Sequence, residues 1–281
     1  MNHALQQTVA NALAEDIGQG DLTSRALVPA GDRCAVTLLA KQAGVLSGMT
    51  AFRYAFDYCS ANVDEWTGLD DGAPFASGEI VARFTGATRA VLTAERTALN
   101  FVQRLSGVAT ITARFVAALE GLNCRVCDTR KTTPLLRPLE KEAVRHGGGA
   151  NHRYNLADGL LIKENHIAAA GGIATAIARA RAGSHHLMKV EIEVTNLAEL
   201  GEALEAGADV VMLDNMDNET MAQAVRVNQT HNGGRVLLEA SGNVNLERVR
   251  SMAETGVDLI SVGALTHSAP AIDLSLLIKP L

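Results

Sequence analysis

The chain of 281 residues carries a formal charge of −6, and 47% of it is hydrophobic with only 4% aromatic. That length suits one large α/β domain, or a large domain with a smaller companion, around a core of Ala, Val, Leu and Ile. The acidic balance argues against nucleic acid as the main partner, and no run approaches the roughly 18 apolar residues that a membrane span needs.

The first segment, MNHALQQTVANALAEDIG, reads as an amphipathic helix. Its Asn, Gln and His residues are foreign to the apolar core of a signal peptide, so a cytoplasmic protein with no membrane partner is expected. Up to about residue 90 the pattern is β-rich, in RCAVTLLAKQAGVLSG and again in NVDEWTGLDDGAPFASGEIVARFTGATRAVL. Apolar alternation punctuated by Gly and Asp-Gly predicts hairpins or a half-open sheet there. Apolar residues at 3–4 spacing then make TAERTALNFVQRLSGVATITARFVAALEGL a long helical stretch, with Ser106-Gly107 the expected break.

From about Cys124 strand and helix alternate. The strand candidates are CRVCDT, GLLIKE, KVEIEV, DVVMLD, RVLLEASG and DLISVGA. Between most of them lie the helical segments AGGIATAIARARAG, NLAELGEALEAGA, NETMAQAVRVNQT and NLERVRSMAETG. Repeats of this kind indicate a parallel sheet, which closed into a ring makes a β/α barrel. Cys124 and Cys127 form a C-x-x-C, but no second Cys or His pair stands at zinc spacing. With Cys34 and Cys59 they read as buried, reduced thiols.

Chemistry collects at the strand ends: Asp128-Thr129-Arg130-Lys131, Lys163-Glu164-Asn165-His166, Glu193, Asp214-Asn215, Glu239 with Ser241-Gly242-Asn243, and Gly263 with Thr266-His267. In parallel α/β folds ligands bind at the carboxyl ends of the strands, where loops converge. The turns Ser241-Gly242-Asn243, taken to precede a helix, and Val262-Gly263-Ala264 expose backbone N–H groups of the kind that cradle phosphate. Glu193 and Asp214, on adjacent strands, suit Mg²⁺ or sugar hydroxyls, with Glu191 the runner-up. Asp209 and Asp258 precede their strands and read as turn acids. Gly147-Gly148-Gly149 reads as a flexible connector, and His185 and His186 as loop residues without a specific task.

Between Thr129 and Lys163 stand seven Lys or Arg against three acids, a balance of +4 that leaves −10 for the rest of the chain. Such an island marks where anions sit. Arg137, Lys141 and Arg145 have the i+4 spacing of a solvated helix face. Arg130, Lys131, Arg153 and Lys163 do not share one face. Arg matches the geometry of a carboxylate and Lys supplies a point charge, so a pocket of Arg130, His152, Arg153 and Lys163 suits a small dicarboxylate.

EDIGQGDLTS, ERTALNFVQRLSG, DTRKTTP, GGGANHR, LIKENHI, VEIEV, MLDN, LEASGN and ISVGALTHS occur in this order along the chain. In them the sequence resembles the quinolinate phosphoribosyltransferase family over essentially its whole length. The resemblance implies an α/β fold with an N-terminal α/β sandwich over residues 1–104, completed by the tail 268–281. An incomplete parallel α/β barrel over residues 105–267 follows, in an obligate homodimer. It implies a reaction of quinolinate with phosphoribosyl pyrophosphate and Mg²⁺ that yields nicotinate mononucleotide, pyrophosphate and CO₂. Quinolinate positions then fall on Arg130, His152, Arg153 and Lys163, with Arg96 donated by the neighbouring subunit. Phosphoribosyl and metal positions fall on Thr129, Lys131, Glu193, Asp214, Ser241, Gly242, Asn243, Gly263, Ala264 and His267. Lys163, Glu193 and Asp214 form the implied catalytic set, with Glu193 and Asp214 toward the metal. Leu135 stands where the family's TRKTxPG pattern often has Gly, and Tyr154-Asn155 where Leu-Gly often follows NHR. Three other readings stay open at this point: a paralogue encoded with molybdate transport, a catalytically silent phosphoribosyl-binding protein, and a phosphosugar lyase on a β/α barrel.

Overall fold

The structure, a computed structural model, describes residues 3–231 and 233–281, so Met1 and Asn2 of the expected first helix lie outside the described residues. Two compact units are present. One comprises Met1–Ala113, Thr132–Gly148 and Ser268–Leu281, the other Arg114–Lys131 and Gly149–His267. The 31-residue helix Thr88–Ala118 runs uninterrupted through both the expected break at 104/105 and the 113/114 boundary of these units. Ser106-Gly107 does not break it. A Cβ at Gly107 would collide with the Pro270 carbonyl, so this glycine permits close approach of the tail rather than a bend.

The second unit contains a six-stranded parallel sheet in the order Arg125–Cys127, Leu259–Ser261, Leu237–Ser241, Val210–Asp214, Val190–Val194, Leu160–Ile162. All six strand candidates are present. Among the described residues no pairing closes the two ends into a ring; Ala150 adds a single parallel bridge beside Cys127. The central strand Val210–Asp214 is apolar up to its last residue, as a sheet covered on both faces favours: Val210, Val211, Met212 and Leu213 are all buried. Helices Ile173–Ala182, Leu197–Glu205 and Asn218–Thr230 follow their strands, the last two capped by Asn196 and Asp217. Two elements differ from the pattern reading. Glu164–Ala170 is a helix, not a strand end, because the His166 ring nitrogen Nδ1 accepts the Lys163 N–H at 3.0 Å in a capping box. The helix near NLERVRSMAETG shrinks to Val249–Ala253, so none starts directly behind Ser241-Gly242-Asn243.

The first unit pairs Leu274–Pro280, Arg33–Ala40, Ile80–Ala87 and Asp64–Gly68 in an antiparallel sheet. Arg33–Ala40 alternates half-buried and buried positions along its length. Met49–Tyr58, where the β-rich pattern indicates no element, is a helix whose Phe52 and Phe56 pack with Trp66 and Phe84 at centroid distances of 5.0–6.3 Å. Few aromatics suffice because four of them share one cluster. The helix Arg137–His146 also belongs here, and it is no solvated face: Lys141 is only 3% exposed. Glu140, fully buried, accepts from Arg104 Nη2 at 2.8 Å and from Thr133 N and Oγ1 at 3.0 and 2.8 Å. Gly147 is no flexible connector either, since a Cβ there would strike Ala109 and Thr112. All four cysteines are unpaired, and burial beside Asp258 raises the Cys124 thiol to about 12. Among the described residues no helix is long and apolar enough to cross a membrane.

Leu135, at the position where the resemblance often has Gly, takes a left-handed backbone. Its φ is +66°, yet its side chain is 81% exposed and contributes little burial. A non-glycine residue there costs about 1–2 kcal/mol. Leu135→Gly should therefore stabilise the fold by roughly 0.5–1 kcal/mol after the added chain entropy of glycine. A lower melting temperature in differential scanning calorimetry would contradict this account.

Candidate active site

All of the site described here belongs to the second unit. Its first half is a cavity of about 380 Å³ lined by Arg130, Lys131, His152, Arg153, Lys163 and Glu193, with Asp214 and Glu239 among its other walls. Each side chain leaves the carboxyl end of a strand or the loop just after it. Asp128, fully buried at the end of Arg125–Cys127, accepts from the His152 N–H at 2.8 Å and from Asn151 Nδ2 at 2.7 Å. A single carboxylate thus sets the turn that carries His152 and Arg153. Arg153 Nη1 donates to the Gly159 carbonyl at 3.2 Å, and its Nε is buried without a hydrogen-bond partner. Burial first, and Arg130 second, lower the Arg153 pKa, against the pull of Glu191 and Asp158. Lys163 Nζ pairs with Glu193 Oε2 at 2.9 Å, half exposed toward the cavity. The Arg153 guanidinium, partly desolvated and with its Nε unsatisfied, suits an anion with planar carboxylates.

The second half is a cavity of about 410 Å³ lined by Lys131, Asp214, Ser241, Gly242, Asn243, Gly263, Ala264 and His267. Thr129, Lys131, Asp214, Ser241 and Ser261 line both halves. Gly242 has φ +99°, and a Cβ there would collide with the Asn215 side chain. Asn215 and Asn243 also take positive φ, +54° and +49°, where Asn is among the tolerated residues. At Gly263 a Cβ would lie 3.1 Å from both His267 Nε2 and Lys131 Cδ. Bare backbone, two basic side chains and no apolar lid make this half suitable for phosphate oxygens. The short Val249–Ala253 helix lends it no axial dipole, so backbone N–H groups and side chains must do the binding.

Residues 21–106 match the family model of the quinolinate phosphoribosyl transferase N-terminal domain, and residues 108–277 match that of its C-terminal domain. The chain belongs to the quinolinate phosphoribosyl transferase family. A probable carboxylating nicotinate-nucleotide pyrophosphorylase of Bacillus subtilis is 41% identical over 98% of this chain and 94% of its own length. The carboxylating nicotinate-nucleotide pyrophosphorylase of Mycobacterium leprae is 40% identical over 97% and 96%. Among solved structures, NadC from Streptococcus pyogenes superposes with a TM-score of 0.93 at 43% identity, covering 99% of this chain and 97% of that one. The nicotinate-nucleotide pyrophosphorylase of Francisella tularensis gives 0.92 at 39% identity with the same coverages.

Of the residues that the family resemblance assigns to the site, every one but Arg96 lines one cavity half or both. Arg96 is exposed on the helix Thr88–Ala118 of the first unit. Three residues of the second unit carry more than their sequence pattern indicates. Asn215 donates Nδ2 to Asp214 Oδ2 at 2.8 Å and so aims that carboxylate. Asp128 builds the loop of His152, and Glu239, only 1% exposed, sits beneath it. A buried acid directly after an apolar strand was the available signal for Asp128. Asp209 and Asp258 are turn acids, accepting from Val190 N and Leu238 N at 2.8 Å each. The loop that carries Tyr154-Asn155 is held by its own side chains: Asn155 Oδ1 accepts Ala157 N at 2.8 Å and Asp158 accepts Tyr154 N at 2.8 Å.

Gly242→Ala should disrupt the second half of the site selectively. The left-handed backbone alone costs about 1–3 kcal/mol for a residue with a Cβ, before the collision with Asn215. Pyrophosphate should then no longer raise the melting temperature of the variant, whereas it does for the wild type. Equal protection of both proteins would place the phosphates elsewhere.

Proposed function

We propose that the two joined halves transfer the phosphoribosyl group of phosphoribosyl pyrophosphate to quinolinate, releasing nicotinate mononucleotide, pyrophosphate and CO₂. This pentosyl transfer belongs to NAD biosynthesis, the activity named for the chain's full-length relatives. The observation that carries the reading is the continuity of a guanidinium-lined pocket with a glycine-lined anion cradle across Thr129, Lys131, Asp214 and Ser241. Arg130, Arg153 and Lys163 grip the two carboxylates and point the pyridine nitrogen at the anomeric carbon. Orientation of this kind removes much of the barrier to a bimolecular displacement. As pyrophosphate leaves, positive charge develops on the ribose, and Glu193 and Asp214 stabilise it. The 2-carboxylate then departs as CO₂, leaving its electron pair on C2, where the adjacent cationic nitrogen stabilises it until a proton from water adds there.

Glu193 and Asp214 fit Mg²⁺. Asp214 at the junction of the halves and Glu193 in the first half offer hard oxygen donors, and Mg²⁺ commonly uses one or two carboxylates together with substrate phosphates. When bound, the ion neutralises charge on the departing pyrophosphate. The proposal extends to a homodimer in which Arg96 reaches the partner's cavity, which a two-fold interface would satisfy twice. A cytoplasmic location is supported by four unpaired cysteines.

Nicotinate offers one carboxylate where quinolinate offers two. It should react at least about 100-fold more slowly, because a buried cation left unmatched costs several kcal/mol. Comparable turnover of nicotinate, with pyrophosphate release measured, would refute the assignment of these cations. The shared site has its own test. Arg96→Ala and Lys163→Ala should each be nearly inactive as pure dimers. Mixed dimers gather both lesions in one site, so co-refolding should restore activity to about a quarter of the wild-type level. If isolated mixed dimers stay inactive, Arg96 serves its own chain.

A further inference from the structure

Asp214 lines both cavity halves, and the residue after it holds its carboxylate in place. A carboxylate can only accept, so the Asn215 carboxamide turns Nδ2 toward Asp214 Oδ2, 2.8 Å away. That choice fixes the other end of the amide. Asn215 Oδ1 faces the anion cradle and accepts from Asn243 Nδ2 at 3.4 Å. The Asn243 carbonyl in turn accepts from Arg248 Nη1 at 3.0 Å. Arg248 stands outside the lining of either half, so a line of polar groups runs from beyond the cavities to the carboxylate.

The backbone is shaped to admit this carboxamide. The Asn215 N–H donates to the Ser241 carbonyl at 2.9 Å, which carries the strand pairing one residue past Asp214. The Asn215 φ of +54° then ends the extended run. A Cβ at Gly242 would collide with Asn215 Oδ1 and Cγ. The glycine of the cradle therefore makes room for Asn215 as well as for an anion.

We propose that Asn215 is a positioning residue whose side-chain amide ties the Asp214 carboxylate to the Asn243 turn of the cradle, on the reading of the two halves as the phosphoribosyl pyrophosphate and quinolinate sites. The amide engages Oδ2, and Oδ1 serves the ribose or Mg²⁺. Phosphates that settle the Asn243 turn thereby also settle the carboxylate that faces the anomeric carbon. A purely conformational role, in which Asn is present only because it tolerates positive φ, makes a different forecast. Glycine meets that demand better than Asn but carries no amide.

The test compares the wild type with Asn215→Gly and Asn215→Asp as full chains. Asp keeps the size and the left-handed tolerance, yet sets an acceptor where Asp214 needs a donor. Both variants should bind quinolinate within about twofold of the wild type by calorimetry. Both should lose at least about tenfold in kcat at saturating substrates and Mg²⁺, as expected when a hydrogen bond to a charged group is removed. The affinity of Asn215→Gly for Mg²⁺-pyrophosphate, measured calorimetrically without turnover, should fall at least about fivefold. Wild-type kcat or wild-type Mg²⁺-pyrophosphate affinity in Asn215→Gly overturns the proposal and leaves the conformational role. If that variant does not fold, wild-type kcat in Asn215→Asp overturns it instead. Quinolinate affinity that falls as far as kcat also overturns it, because the damage would then not be confined to Asp214. A wild type that binds Mg²⁺-pyrophosphate but does not turn over quinolinate refutes the proposed function, and the pyrophosphate affinities then decide the role of Asn215 alone.

Discussion

The chemistry depends on holding several cations close together before any substrate arrives. Two unit charges a few ångströms apart repel by a few kcal/mol even at the effective dielectric of a protein surface. Arg130 and Arg153 share one cavity wall, and burial adds to their mutual opposition. The fold meets this with acids placed one layer deeper. Glu191 faces Arg153, Asp128 grips the loop that carries it, and Glu239 stands behind His152. Lys163 is held separately by Glu193.

Buried acids perform the same constructive work in the first unit. Glu140 unites a helix, a turn and Arg104 with one carboxylate, and Asp71, raised above its usual range by burial, accepts the Met49 N–H at 3.1 Å. In each case a side chain satisfies backbone N–H groups that no regular element could reach. Depth differs among these acids. Asp128 and Glu140 are fully buried, whereas Glu193 and Asp214 look into open cavity.

The parallel sheet was legible because fully buried strands read as short apolar runs, and their polar ends hold most of the residues that line the two cavities. Glycines were less legible, since one residue type serves opposite purposes. Gly242 serves as bare backbone in a turn, while Ser106-Gly107 has the pattern of a break although Gly107 makes room for Pro270 within a continuous helix. Lys141 shows a similar limit: i+4 spacing locates a helix face without saying what covers it. The work of Glu239, Asp128 and Asn215 depends on register between strands far apart in sequence. Ser241 pairs with Asp214, and only that pairing brings Asn215 against Gly242.

The strand Leu274–Pro280 pairs with Arg33–Ala40, about 240 residues earlier in the chain. While the polypeptide emerges from the ribosome, that early strand can pair on one side with Ile80–Ala87 but keeps its other edge open. An open edge with alternating buried positions is a template for unwanted pairing between nascent chains. The parallel unit, complete at His267, can finish folding before the unit that precedes it in sequence. Order of synthesis and order of completion are thus reversed, and the final strand acts as the seal on the first one made.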